Sequence, residues 1–247
     1  MQVSPVSIEI TERNPEKVYE AIRGRDTYLL ESSEGGEKVA RYSFIGFNPT
    51  AKLTVKGKNI SLDLIDPDLR SLKTRGDNPL QIMRNLMNEF NLAGNTISRF
   101  FGGFVGYFSY DLVRYFIDLD GNTRNDLREP DCEFILAKNN VIFDHKKNKT
   151  YLLSHQFLKE EDIDRETIER ELREIADGFS CSSYDTRKMQ NKNPGNFTSN
   201  TTKKEFEENV KAAKDYIYSG DILQAVLSQR LETEFPGDKF SIYRNLK

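Results

Sequence analysis

Between residues 51 and 65 the chain reads AKLTVKGKNISLDLI, and this alternation limits the fold more than any other stretch. Ala51, Leu53 and Val55 face one side, and Lys52, Thr54 and Lys56 the other. Gly57, Lys58 and Asn59 turn the chain, and Ile60, Leu62 and Leu64 resume the period of two. Such a period across a short polar turn is a half-buried β-hairpin. Antiparallel sheet is therefore the frame into which the other segments must fit.

Other segments read as helices and further strands. Asn14 and Pro15, ahead of EKVYEAIRG, open a short helix with Asn14 as cap and Val18, Tyr19 and Ile22 inward. Residues 28–32 and 41–47 read as two strands. Asn78 and Pro79 open a second helix, with apolar positions Leu80, Met83, Leu86, Met87 and Phe90 at helical spacing. FFGGFVGYFSYDLVRYF at 100–116 predicts a buried strand, then a helical turn over 111–115. Residues 134–143 and 151–154 form another hairpin. Residues 162–177 form an amphipathic helix, with Ile163, Ile168, Leu172 and Ile175 inward and Gly178 as its stop. The fold class expected is α+β, antiparallel β-sheets with flanking helices.

Composition shifts after this helix. Residues 180–200 are polar, contain Pro194 and Gly195, and read as a linker. Thr202 and Glu205 make a capping-box pattern. The helix that follows presents Phe206, Val210, Ala213 and Ile217 and ends at Ser219 and Gly220. Residues 224–231 read as a strand. A last helix, after Pro236, Gly237 and Asp238, reaches Lys247 with no capping signal, as expected of the front part of something longer. The expected organisation is a domain over 1–178, a linker over 179–200 and the start of a second domain over 201–247.

The 247 residues carry a net charge of −3, which supplies no electrostatic reason to bind nucleic acid. No apolar run reaches the roughly 18 residues of a membrane span. The N-terminus lacks an apolar signal core, so the expected location is cytoplasmic. Cys132 and Cys181 form no CxxC pair and are expected to be free thiols in a reducing compartment.

Several motifs carry no chemistry. GGFVG at 102–106 matches neither GxGxxG nor a P-loop, so its glycines serve close packing of aromatic neighbours. His145 and His155 flank one hairpin without metal-ligand spacing and are expected to be solvated turn histidines. No GxSxG elbow exists. The Asn196 and Asn200 sequons are idle without a secretory signal.

Two positions raise more. Glu31 and Ser32, at the end of a strand, are turn chemistry in most proteins. In a partly desolvated corner a carboxylate and a hydroxyl also suit an ammonium group, through charge-assisted hydrogen bonds. Ser43 joins them if the strands 28–32 and 41–47 pair. Gln224 opens a strand after a Gly-Asp turn, and its amide can orient a ligand but cannot act as a base.

Four motifs in order then resemble one family. YLLES at 28–32, RYSFIGFNP at 41–49, FFGGFVGYFSYDLVRYF at 100–116 and GDILQAVLSQR at 220–230 are similar to segments of the first component of anthranilate synthase, a chorismate-using enzyme. The likeness covers nearly the whole chain. It implies that Leu30, Glu31, Ser32 and Ser43 line a feedback site for tryptophan, with Glu31 meeting the amino group and Ser32 adding a hydrogen bond. It further implies a regulatory domain over 1–178 and the start of a chorismate-binding catalytic domain over 201–247. Gln224 would lie on the active-site strand, where relatives that add water carry a lysine and an amide fits those that add ammonia. Mg²⁺ is the implied cofactor, with ligands beyond residue 247. The implied partners are a glutamine amidotransferase subunit, chorismate and L-tryptophan, with neither nucleic acid nor membrane. The implied reaction makes anthranilate and pyruvate from chorismate and ammonia. Aminodeoxychorismate synthase, and a stand-alone tryptophan-binding module, remain the alternatives.

Overall fold

The computed structural model describes residues 1–32, 41–92, 98, 100–119, 126–181 and 195–247, with only the backbone at 180 and 181. Two compact units are present, Met1–Tyr184 and Asp185–Lys247. The first contains β1 (Gln2–Ile10), α1 (Pro15–Ile22), β2 (Tyr28–Leu30), β3 (Tyr42–Lys56), β4 (Asn59–Leu64), α2 (Pro79–Asn88) and β5 (Asn91–Leu92). Then follow β6 (Phe104–Phe108), a 3-10 turn (Tyr110–Tyr115), β7 (Cys132–Asp144), β8 (Lys149–Gln156) and α3 (Arg165–Cys181). The mixed α+β architecture, a mainly antiparallel sheet with flanking helices, is the one expected.

The two helix starts form as their sequences require. Asn14 accepts from Lys17 N at 3.1 Å, and Asn78 accepts from Gln81 N at 3.0 Å, each with proline in the first turn. Each cap satisfies a backbone N–H that has no partner inside its helix.

Strand 41–47 and the first arm of the 51–65 hairpin are one strand rather than two. β3 pairs with β7 from Tyr42↔Asp144 to Val55↔Cys132, with a register shift between Pro49 and Ala51. Asn48 turns with φ 54°, a conformation asparagine tolerates better than most residues, and its Nδ2 donates to Asn139 Oδ1 at 2.9 Å. The shift divides the long β3–β7 ribbon into halves. Around one half lie β2, β8 and β1, and the other half carries β4 on β3 and β6 on β7.

Each half has its own helical cover. Val18 of α1 and Leu172 and Phe179 of α3 pack with Ile45, Phe47 and Phe143. Ile82 and Leu86 of α2 pack with Leu53, Val55, Cys132 and Phe134. The inward face of α2 is therefore Pro79, Ile82 and Leu86, while Leu80 and Met87, expected inside, are exposed. Gly178 does not stop α3. The helix runs on to Cys181, which buries Phe179 edge-on against Phe47 at 6.4 Å. That burial outweighs the roughly 1 kcal/mol a helical glycine costs. β6 is a correction of another kind: its side chains are half-exposed to exposed, not buried.

In the second unit β9 (Thr198–Ser199) pairs with β10 (Leu231–Glu232), and α4 (Lys203–Ser219) and α5 (Lys239–Leu246) complete it. α4 has the full Thr202–Glu205 capping box and ends at Gly220 with φ 83°. Its expected inward face is not buried. The strand expected at 224–231 shrinks to Leu231 and Glu232, because among the described residues only Thr198 and Ser199 supply ladder partners there. Most of the expected linker lies outside the described residues.

His155 is a correction with consequences. It sits in β8, only 3% exposed, and is not a solvated turn residue. Its Nε2 donates to Phe101 O at 3.0 Å. Gly102 passes so close, with φ 154°, that a Cβ there would overlap the imidazole. Nδ1 has no hydrogen-bond partner among the described residues, and burial pushes the His155 pKa down to about 4. Cys132 is buried and free, and burial raises its thiol to about 11, which leaves it inert. The side chain of Cys181 lies outside the described set.

The His155 shift fixes the sign of an acid response. Its folded pKa lies below the unfolded value, so the unfolded chain binds more protons between about pH 6.5 and about pH 4. Stability is expected to fall by on the order of 2 kcal/mol between pH 7 and pH 5 from this residue alone. His155→Gln retains an N–H for Phe101 O, so urea denaturation of the variant should lack that part of the slope.

Candidate functional site

The corner begins where β2 ends. Its ladder with β3 runs Tyr28↔Gly46, Leu29↔Ile45, Leu30↔Phe44. Glu31 and Ser32 therefore lie one and two residues past the last pair, and Ser43 stands level with Glu31 on the partner strand. The strand expected over 28–32 stops short of its polar end. Glu31 is half-buried and Ser32 exposed.

The register also separates the candidates. Directly opposed residues share a sheet face, and successive residues alternate. Leu30, 41% exposed, shares the face of Phe44. Ser43 points the other way, to the side of Ile45 and Phe47, and is 3% exposed. The fold brings Leu30, Glu31, Ser32 and Ser43 to one end of one ladder but sets Leu30 and Ser43 on opposite faces.

Beneath the corner β2 is anchored by Tyr28. Its ring lies against Gly46, where any Cβ would overlap it, and its hydroxyl donates to Asn140 Oδ1 at 2.5 Å. Burial raises the phenol well above its ordinary value, so it stays neutral.

Arg41, Asp144 and His145, which sequence reasoning did not place here, lie where β3 begins and β7 ends, on the side of β3 away from β2. Arg41 donates from Nε and Nη2 to Asp144 at 3.0 and 2.6 Å, and lies 4.7 Å over the Tyr42 ring. His145 N donates to Arg41 O at 2.9 Å. His145 Nε2 is 2.8 Å from Ser43 Oγ. The one available signal was the pairing of strands 41–47 and 134–143, which needed the register to be known. The Asp144 carboxyl sits below its ordinary range, first because Arg41 donates to it, with burial opposing and Lys147 N adding.

Gln224 lies in an irregular, exposed stretch of the second unit, beside fully exposed Leu223, and not on a strand. A separate cavity of about 730 Å³ is lined in part by Asp77, Asp111, Arg114, Tyr115 and Asp131. The Tyr115 hydroxyl there is 2.7 Å from Gly57 O and 2.8 Å from Asp131 Oδ2, a tie between loops. Among the described residues no helix is long and apolar enough to cross a membrane.

Comparison with known proteins decides the affiliation. A family model described as chorismate binding enzyme matches residues 25–247. The chain belongs to the chorismate-binding enzyme family. It is 38% identical over 234 residues to anthranilate synthase component 1 of Acetivibrio thermocellus, covering 89% of this chain and 46% of that protein. It is 31% identical to anthranilate synthase component 1 of Aquifex aeolicus, covering 91% of this chain and 46% of that one. Anthranilate synthase component I from Streptococcus pneumoniae superposes with a TM-score of 0.68 at 24% identity, over 94% of this chain and 50% of the other, which supports the fold. This chorismate-binding family member thus spans about half the length of the curated relatives it matches.

The Arg41–Asp144 pair yields a stability test. Arg41→Met leaves the Asp144 carboxylate without its bidentate partner and is expected to lower the urea midpoint near neutral pH. Because the folded Asp144 pKa is depressed, that contribution exists above the unfolded value and is lost on acidification. The gap between wild type and variant in urea midpoints should close below about pH 4.

Proposed function

We propose that the chain is the N-terminal portion of an anthranilate synthase large subunit and bears its tryptophan-responsive corner at Glu31 and Ser32. The observation that carries this reading is the 38% identity to an anthranilate synthase component 1 over 89% of the chain. In this reading the Glu31 carboxylate takes the effector's ammonium group and Ser32 adds a hydrogen bond. Leu30, on the open side, offers apolar contact. Tryptophan held there biases one arrangement of the whole enzyme, a coupling typically worth about 1–3 kcal/mol.

The parent reaction is the conversion of chorismate and ammonia to anthranilate and pyruvate, with ammonia from an amidotransferase partner. In this reading Gln224 contributes an orienting amide and no proton transfer. Among the described residues no three His, Cys, Asp or Glu side chains are grouped to hold a metal. We assign the metal ligands and the chorismate contacts to sequence beyond residue 247. Residues 1–247 alone are then expected to form no anthranilate from chorismate, ammonium and Mg²⁺, and fluorescent product would refute this.

Effector binding is directly measurable, because the chain contains no tryptophan and the ligand can be excited at wavelengths where tyrosine scarcely absorbs. Glu31→Ala and Ser32→Leu should each weaken L-tryptophan binding by roughly ten- to hundred-fold, the worth of a charge-assisted bond or of an obstructed site. Equal titrations in wild type and both variants, including no binding in any, would overturn the assignment.

A further inference from the structure

The β2–β3 ladder ends at Leu30↔Phe44, and an amine site at Glu31 and Ser32 needs a fixed frame. Among the described residues, the start of β3 stands level with Glu31. That strand end is fastened to the end of β7 by main-chain pairing at Tyr42↔Asp144 and Ser43↔Phe143. Side chains add a second fastening. Arg41 grips Asp144, and the Ser43 hydroxyl meets His145 Nε2 at 2.8 Å.

The histidine is itself held. Its ring lies nearly parallel to that of Phe143, at 11° and 6.4 Å between centroids, and its backbone N donates to Arg41 O at 2.9 Å. His145 is otherwise exposed, so its ring is not needed to fill the core. Ser43 is 3% exposed, and a buried hydroxyl left without a partner is destabilising. The imidazole is the side chain that satisfies it. An exposed aromatic ring held in one orientation against a buried hydroxyl is a fitting for that hydroxyl.

We infer that His145 is a positioning residue of the effector corner, acting through Ser43. The inference rests on reading Glu31 and Ser32 as the amine site. Loss of the bond lets Ser43 and the start of β3 relax, and the polar end of β2 loses its fixed neighbour. Ser43 stands at the rim of the face that carries Ile45, Phe47 and Phe143, so the effect is expected mainly on ligand affinity, and the thermal midpoints report any cost to that core.

The experiment is L-tryptophan titration, by ligand fluorescence, of wild type and six variants of the full chain, with thermal midpoints in parallel. His145→Phe keeps the stack on Phe143 and removes the bond, and should weaken binding roughly three- to ten-fold, the range of one pairwise coupling. His145→Gln places an amide N–H where Nε2 stands and should return affinity to within about two-fold of wild type. Ser43→Ala should lose as much as His145→Phe, and the double variant no more than either single, because both remove the same bond. Glu31→Ala and Ser32→Leu separate the inference from the reading beneath it. If they weaken binding while His145→Phe does not, or if the His145 and Ser43 losses add, the positioning role is overturned and the corner stands. If neither weakens binding, the corner itself falls and the inference with it.

Discussion

The structure of the first unit depends on one long antiparallel contact, β3 with β7, and on the shift that interrupts it after Pro49. A straight ribbon of that length would present one apolar face to a single layer. The shift re-aims the side chains, so Ile45 and Phe47 meet α1 and α3 while Leu53 and Val55 meet α2. Two modest cores are thereby built on one pair of strands, and each half acquires its own additional strands. The Asn48–Asn139 side-chain bond sits at this junction, where main-chain pairing lapses.

The candidate effector corner is the free end of the same ribbon. β2 contributes three ladder pairs, the last at Leu30↔Phe44. What keeps that end in place is polar and local: Tyr28 against Gly46 and Asn140 below, and Arg41, Asp144 and His145 beside it. In the proposed reading, a ligand held there would act at the end of a sheet ladder rather than in the middle of a core.

Much of this was legible in local sequence. The 51–65 hairpin, the Asn-Pro starts of α1 and α2 and the Thr202–Glu205 capping box depend on residues within a few positions of one another, and all are present. The failures have a common cause. Gly178 reads as a stop until Phe179 finds Phe47 on the sheet face that α3 covers. His155 reads as a turn residue until Gly102 closes over its ring. Residues 224–230 read as a strand, but a strand requires a partner, and sequence alone does not say whether one is present.

Sequence by itself determined which residue types stand at the corner, the order of the motifs and, through them, the family. Periodicity, capping and turn chemistry are short-range and are written in adjacent letters. Only the tertiary structure decided that Ser43 and Leu30 look to opposite faces and that an exposed histidine holds a buried serine. The physical reason is register. A β-ladder fixes partners about a hundred residues apart, such as Ser43 and Phe143, which brings His145 to Ser43, and a slip of one residue would exchange every face.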